Sequence, residues 1–138
     1  MTTTVTTAVD RFLDAVAAST IADCDAWADD AVLDATVPNW RFRLVGPDAI
    51  RAEYAGWFAD PGAFVELERE SVEDGEVVRY LLSWQEAGVA HVAHHLHLLR
   101  VRDGRIVRDT VVCGGRWPQP LLDDMAASQA ALDARPVA

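Results

Sequence analysis

The sequence predicts an α+β domain in which a curved antiparallel sheet wraps around helices that come first in the chain. Three observations point there. Apolar residues recur at helical spacing near the N-terminus and again around residue 50. From Phe64 to Cys113 the apolar residues fall into strand-length runs parted by turn signals at Asp74-Gly75, Ala87-Gly88 and Asp103-Gly104. Helices followed by a run of strands is the α+β order, and a sheet bent over helices leaves a pocket between the two layers.

Val9, Phe12, Leu13 and Val16 form one stripe of a first helix over Val5 to Ala18, with Asp10, Arg11 and Asp14 between them. A short second helix is expected over Asp23 to Asp29, carrying Trp27. AVLDATV (31–37) reads as a strand, and after Pro38-Asn39 the stretch WRFRLV alternates like a second. Gly46-Pro47-Asp48 opens a third helix with Asp48 as its N-cap, and Asp60-Pro61-Gly62 closes it. Strands follow over Phe64–Val72, Val77–Gln85, Val89–Arg102 and Arg105–Cys113. The chain reads as one domain, residues 1–138, with its core at about 5–117 and a C-terminal helical segment at about 120–134.

A formal charge of −10, with Arg the sole basic residue apart from four His, argues against nucleic acid and against anionic membranes. No apolar run reaches the roughly 20 residues of a membrane span. MTTTVTT has neither the basic nor the apolar region of a secretory signal, and two cysteines make no disulfide framework. A reduced, cytoplasmic protein is expected.

All four histidines lie in HVAHHLHLLRV, residues 91–101. Side chains alternate across a strand, so His91, Ala93, His95, His97, Leu99 and Val101 share one face. Val92, His94, Leu96, Leu98, Arg100 and Arg102 share the other, whose arginines mark it as the outer one. Two registers are open for the next strand. A two-residue loop at Asp103-Gly104 sets Thr110 opposite His97. A three-residue loop, Arg102-Asp103-Gly104, sets Asp109 opposite His97, Val111 opposite His95 and Cys113 opposite Ala93. The second keeps Arg108 outside, so it is preferred.

An Asp against an imidazole fixes its tautomer, while burial and the carboxylate pull its proton affinity in opposite directions. His97 is therefore the expected principal acid–base residue, with Asp109 orienting it and His95 as a second donor or acceptor. The alternative is a buried polar pair without chemistry. His95-Leu96-His97 with Asp109 also has the composition of a two-His, one-carboxylate metal site.

The order of elements, with WADDAVLDATV, GPDAIRAEY and LLRVRDGRIVRDTVV in their places, resembles the nuclear transport factor 2-like superfamily over about residues 5 to 117. That resemblance implies a cone-like sheet with an apolar ligand cavity at its open end, and a homodimer formed through the sheet's outer face. Superfamily members include ketosteroid isomerase, scytalone dehydratase, polyketide cyclases and binders without activity, so the fold alone does not choose a reaction.

In the isomerase the catalytic Asp lies on the first strand, which makes Asp34 a candidate, although the gapless match falls on Ala35. The isomerase's two oxyanion groups match Phe12 and His97, so steroid isomerisation does not carry over. Scytalone dehydratase, with paired His, an Asp and tyrosines, is the nearer chemical likeness. Expected pocket residues are Phe12, Trp40, Tyr54, Trp57, Tyr80, Trp84, Leu99, Val111 and Cys113. The reading is an enzyme without cofactor or metal that moves protons on a small-to-medium apolar oxygenated molecule. A ligand carrier and a metal enzyme using His95, His97 and Asp109 are the alternatives.

Overall fold

A computed structural model describes residues 6–136. Helix α1 spans Ala8–Ala18, a 3-10 turn follows at Ile21–Asp23, and strands β1 (Trp27–Val37) and β2 (Trp40–Val45) lead to α2 (Pro47–Trp57). Strands β3 (Gly62–Val72), β4 (Gly75–Glu86), β5 (Val89–Arg102) and β6 (Arg105–Pro118) precede α3 (Gln119–Asp133). The six strands form one curved, unclosed sheet in the order β2-β1-β6-β5-β4-β3. Every neighbouring pair is antiparallel except β1 with β6.

Thr7 caps α1 through a capping box: Asp10 N donates to the Thr7 hydroxyl, and Thr7 N donates to the Asp10 carboxylate. The Val5 start expected for this helix lies outside the described residues. Val9, Phe12, Leu13 and Val16 are buried as their spacing predicts. At the far end Ser19 turns left-handed and its hydroxyl donates to Phe58 O at 2.8 Å, tying the end of α1 to the end of α2.

Two local expectations are overturned. No helix spans Asp23 to Asp29, because Trp27 begins β1 opposite Ile106, and Ile106 N donates to Ala26 O. Edge-on packing of Trp27 against Phe12 holds it in the core. Asp48 is also not a cap: Gly46 is, with Pro47 in the first helical turn and Asp48 exposed and paired with Arg51.

The β5–β6 register is a third correction. Asp103-Gly104 is a two-residue loop with both residues at positive φ, so Arg102 pairs with Arg105 and Val101 with Ile106. The extra residue sits inside β6 instead. Val107 bulges, so Arg100 pairs with Arg108, Leu99 with Asp109, His97 with Val111 and His95 with Cys113. A bulge and a longer loop change parity equally, so Asp109 still faces inward, but it meets His97 diagonally.

Strand β6 also runs past Cys113 to Pro118. Helix α3 buries no residue and leaves Leu121, Met125 and Leu132 exposed. No helix among the described residues is long and apolar enough to cross a membrane.

Candidate active site

The strand alternation places Tyr80 (β4), His95 and His97 (β5) and Asp109 (β6) on the concave face, with α2 supplying Tyr54 and Trp57 above them. Tyr54, Asp109, His97, Tyr80 and His95 form one hydrogen-bonded row. The Tyr54 hydroxyl donates to Asp109 Oδ2 at 2.6 Å, and Asp109 Oδ1 lies 2.9 Å from His97 Nδ1. His97 Nε2 is 2.9 Å from the Tyr80 hydroxyl, which is also 2.9 Å from His95 Nδ1. His97 and Asp109 have no exposed surface, and His95 retains 3%.

Burial pushes both tyrosines well above the ordinary phenol range, and the nearby Asp109 charge pushes the same way. They therefore keep their protons, and proton counting orders the row. Tyr54 donates to Asp109, which also accepts from His97 Nδ1–H. A neutral His97 then has a bare Nε2 to accept from Tyr80, and the Tyr80 oxygen accepts from His95 Nδ1–H. In that arrangement, with His97 neutral, His95 Nε2 is an unprotonated lone pair. It makes no hydrogen bond among the described residues and is not a sealed polar orphan.

That nitrogen has somewhere to act. His95 lines a cavity of about 280 Å³ together with Val37, Pro38, Trp57, Cys113, Gly115 and Arg116. The Trp57 ring lies 5.5 Å from the imidazole. Burial, and then the neighbouring His97 and His94, lower the His95 pKa to about 3, so the ring waits neutral. It can still take up a proton if the charge moves on. A proton entering at Nε2 lets Nδ1–H pass to Tyr80 and the Tyr80 proton pass to His97. The positive charge then rests beside the Asp109 carboxylate, two hydrogen bonds from the cavity.

The two imidazoles differ in their access to the cavity. His95 faces the cavity, whereas His97, covered by Phe12 at 5.2 Å and by Tyr54, stands behind it. Of the expected pocket set, Trp57 and Cys113 line the cavity. Tyr54 and Tyr80 belong to the row, while Phe12, Leu99 and Val111 are wholly buried in the core. Trp84 stacks on His91 in a separate shallow groove, and Trp40, 69% exposed on edge strand β2, does not line this cavity.

Asp34 is buried on the convex face, not the concave one. Arg41 grips both its oxygens at 3.0 and 2.8 Å, and Arg108 stands at 3.6 Å. That pairing, Arg41 above all, lowers its pKa. His94 likewise faces outward as expected, beside Arg79. His95, His97 and Asp109 do not converge as metal ligands, since both His97 nitrogens are already engaged. No other group of three such side chains among the described residues is placed to hold an ion.

Sequence reasoning missed Arg116 at the cavity. The Gly114-Gly115 doublet inside a strand was the available signal.

The family model for the SnoaL-like domain matches residues 9–109. The chain belongs to the SnoaL-like domain family, within the nuclear transport factor 2-like superfamily. No curated protein sequence matches it. A Mesorhizobium loti nuclear transport factor 2-like protein of unknown function is 26% identical, with 78% of this chain and 88% of that one covered and a TM-score of 0.60. A Bacillus subtilis protein named for an isomerase activity that is not established shares 17% identity over 78% of this chain and 84% of its own, at a TM-score of 0.64. A Catenulispora acidiphila protein with a ketosteroid isomerase-like fold, solved with trimethylamine, is 15% identical over 75% and 82%, at 0.53. These last two likenesses concern fold alone.

Proposed function

We propose that this SnoaL-like protein is an acid–base enzyme of isomerase, cyclase or dehydratase type, working without cofactor on a small apolar oxygenated molecule. One observation carries the reading: His95, whose Nε2 makes no hydrogen bond among the described residues, lines an apolar cavity and is backed by the row Tyr80–His97–Asp109–Tyr54. His95 removes a proton from carbon or oxygen, the row stores the charge at His97, and reversal returns the proton to a second position on the same molecule. The cavity has room for about ten water-sized groups at roughly 30 Å³ each, which sets the scale of the substrate. Family membership supports the class of reaction without choosing a member of it.

The test is solvent exchange. In deuterated buffer the protein is expected to introduce deuterium beside the carbonyl of at least one member of a panel of small cyclic ketones and enones, read by proton NMR. His95→Asn should abolish the exchange with the fold retained. Ketones that bind without exchanging in the wild type would identify a carrier instead.

The convex face supports a homodimer. Leu96 and Val112 pair side by side across β5 and β6 and are both exposed there. Sedimentation at twice the 15.1 kDa chain mass is the expected result, and Leu96→Glu should return it to monomer.

A further inference from the structure

The last turn of β6 departs from the alternation that governs the rest of the sheet. If the parity set by Val111 and Cys113 continued, Gly115 and Trp117 would face the concave side and Arg116 the convex one. The register instead shifts between His95–Cys113 and Ala93–Arg116. Gly115 takes φ +116, a conformation that a side chain makes strained, and an added Cβ there would crowd the Trp117 indole. The bulge reverses both neighbours. Trp117 goes to the convex side, near His94, and Arg116 comes round to stand beside inward-facing Ala93.

We infer that this bulge exists to set Arg116 at the cavity mouth, where its guanidinium binds a carboxylate or similarly anionic group of the substrate. Arg116 lines the same cavity as His95 and Trp57. Its guanidinium lies over the Trp84 ring at 5.3 Å from the ring centre, and a single nitrogen donates to Glu86 at 2.7 Å. Its remaining N–H groups make no hydrogen bond among the described residues. A guanidinium has five donors in a fixed fork, suited to a carboxylate, and Glu86 occupies one of them. The rest of the cavity lining is apolar apart from His95 and Cys113. The substrate is therefore a small apolar acid, its anionic end outward at Arg116, its body on Trp57 and its reacting atom at His95. The inference deepens the acid–base reading by stating which end of the molecule lies outward.

Benzoate and benzamide, matched in shape and differing in charge, separate the two claims when titrated calorimetrically into the full chain. Benzoate should bind about tenfold or more tightly than benzamide, the difference that one charge-assisted hydrogen-bond pair makes. Arg116→Gln should bring the ratio to near one while leaving benzamide unchanged. Glu86→Gln should tighten benzoate by removing its competitor, which a merely structural ion pair would not do. A ratio near one in the wild type, a ratio that survives Arg116→Gln, or no binding of either probe overturns the inference. His95→Asn should keep the ratio. If deuterium exchange survives that substitution, the acid–base reading fails while the anion site stands.

Discussion

Asp34 and Asp109 sit on paired strands, one step apart in level, and neither keeps more than 3% of its surface. Burial does not distinguish them; their partners do. Asp34 is held on the convex face by guanidinium groups, which do not give up protons, so it is a fixed ion pair. Asp109 is held on the concave face by a phenol and an imidazole, and both lie in a row along which protons can move. A buried carboxylate becomes chemical equipment when the groups bound to it can change protonation state.

The largest effect that bears on this contrast is expected from His95→Asn, which should lower kcat on an exchanging ketone by about 10²–10⁴ with the melting temperature little changed. Asp109→Ala comes next. It strands an imidazole and a phenol, and denaturant unfolding should show a loss of about 2–5 kcal/mol along with the activity. Asp34→Asn should leave exchange unchanged, because Arg41 is solvated and simply returns to water.

Acid titration of stability sharpens the contrast. The folded-state pKa of His95, about 3, lies below its ordinary 6.5, so between those values the unfolded chain binds the extra proton. Stability should thus fall as pH drops from about 6.5 towards 3, by up to about 1.4 kcal/mol per pH unit, and His95→Asn should flatten that slope. The Asp34 contribution has the opposite origin, a lowered carboxylate pKa. It is complete above the ordinary carboxylate range and is lost only below it, so Asp34→Asn should lower the curve across neutral pH and converge with the wild type at the acid end. Trp40→Ala should do least, about 0.5 kcal/mol or below in unfolding, with ligand binding intact.

The concave face was legible from alternation alone, and the reason is instructive. A three-residue loop at Gly104 and a two-residue loop followed by a bulge at Val107 put the same residues inside, so the inward set survived an error about the turn. What alternation could not say is which imidazole reaches open space. That depends on which side chains the helices lay over each ring: Phe12 and Tyr54 cover His97, whereas Trp57 packs beside His95 and shares the cavity wall with it. Asp34 was ambiguous because a carboxylate buried by arginines on an outer face has the same sequence signature as one turned inward. Arg116 escaped notice because a glycine bulge reverses the parity on which the argument relied.

The sheet has one seam where strands run in the same direction, β1 against β6, and it sets Leu33 beside Asp109. Strands β3 to β6 are joined by tight turns and can form early from near neighbours, whereas the seam requires segments far apart in the chain to meet. The carboxylate is therefore expected to be roofed over late, when the N-terminal third docks. Amide exchange should find the β4–β5 ladder slow and β2 fast, with the protons around Asp109 released at the rate at which that seam opens.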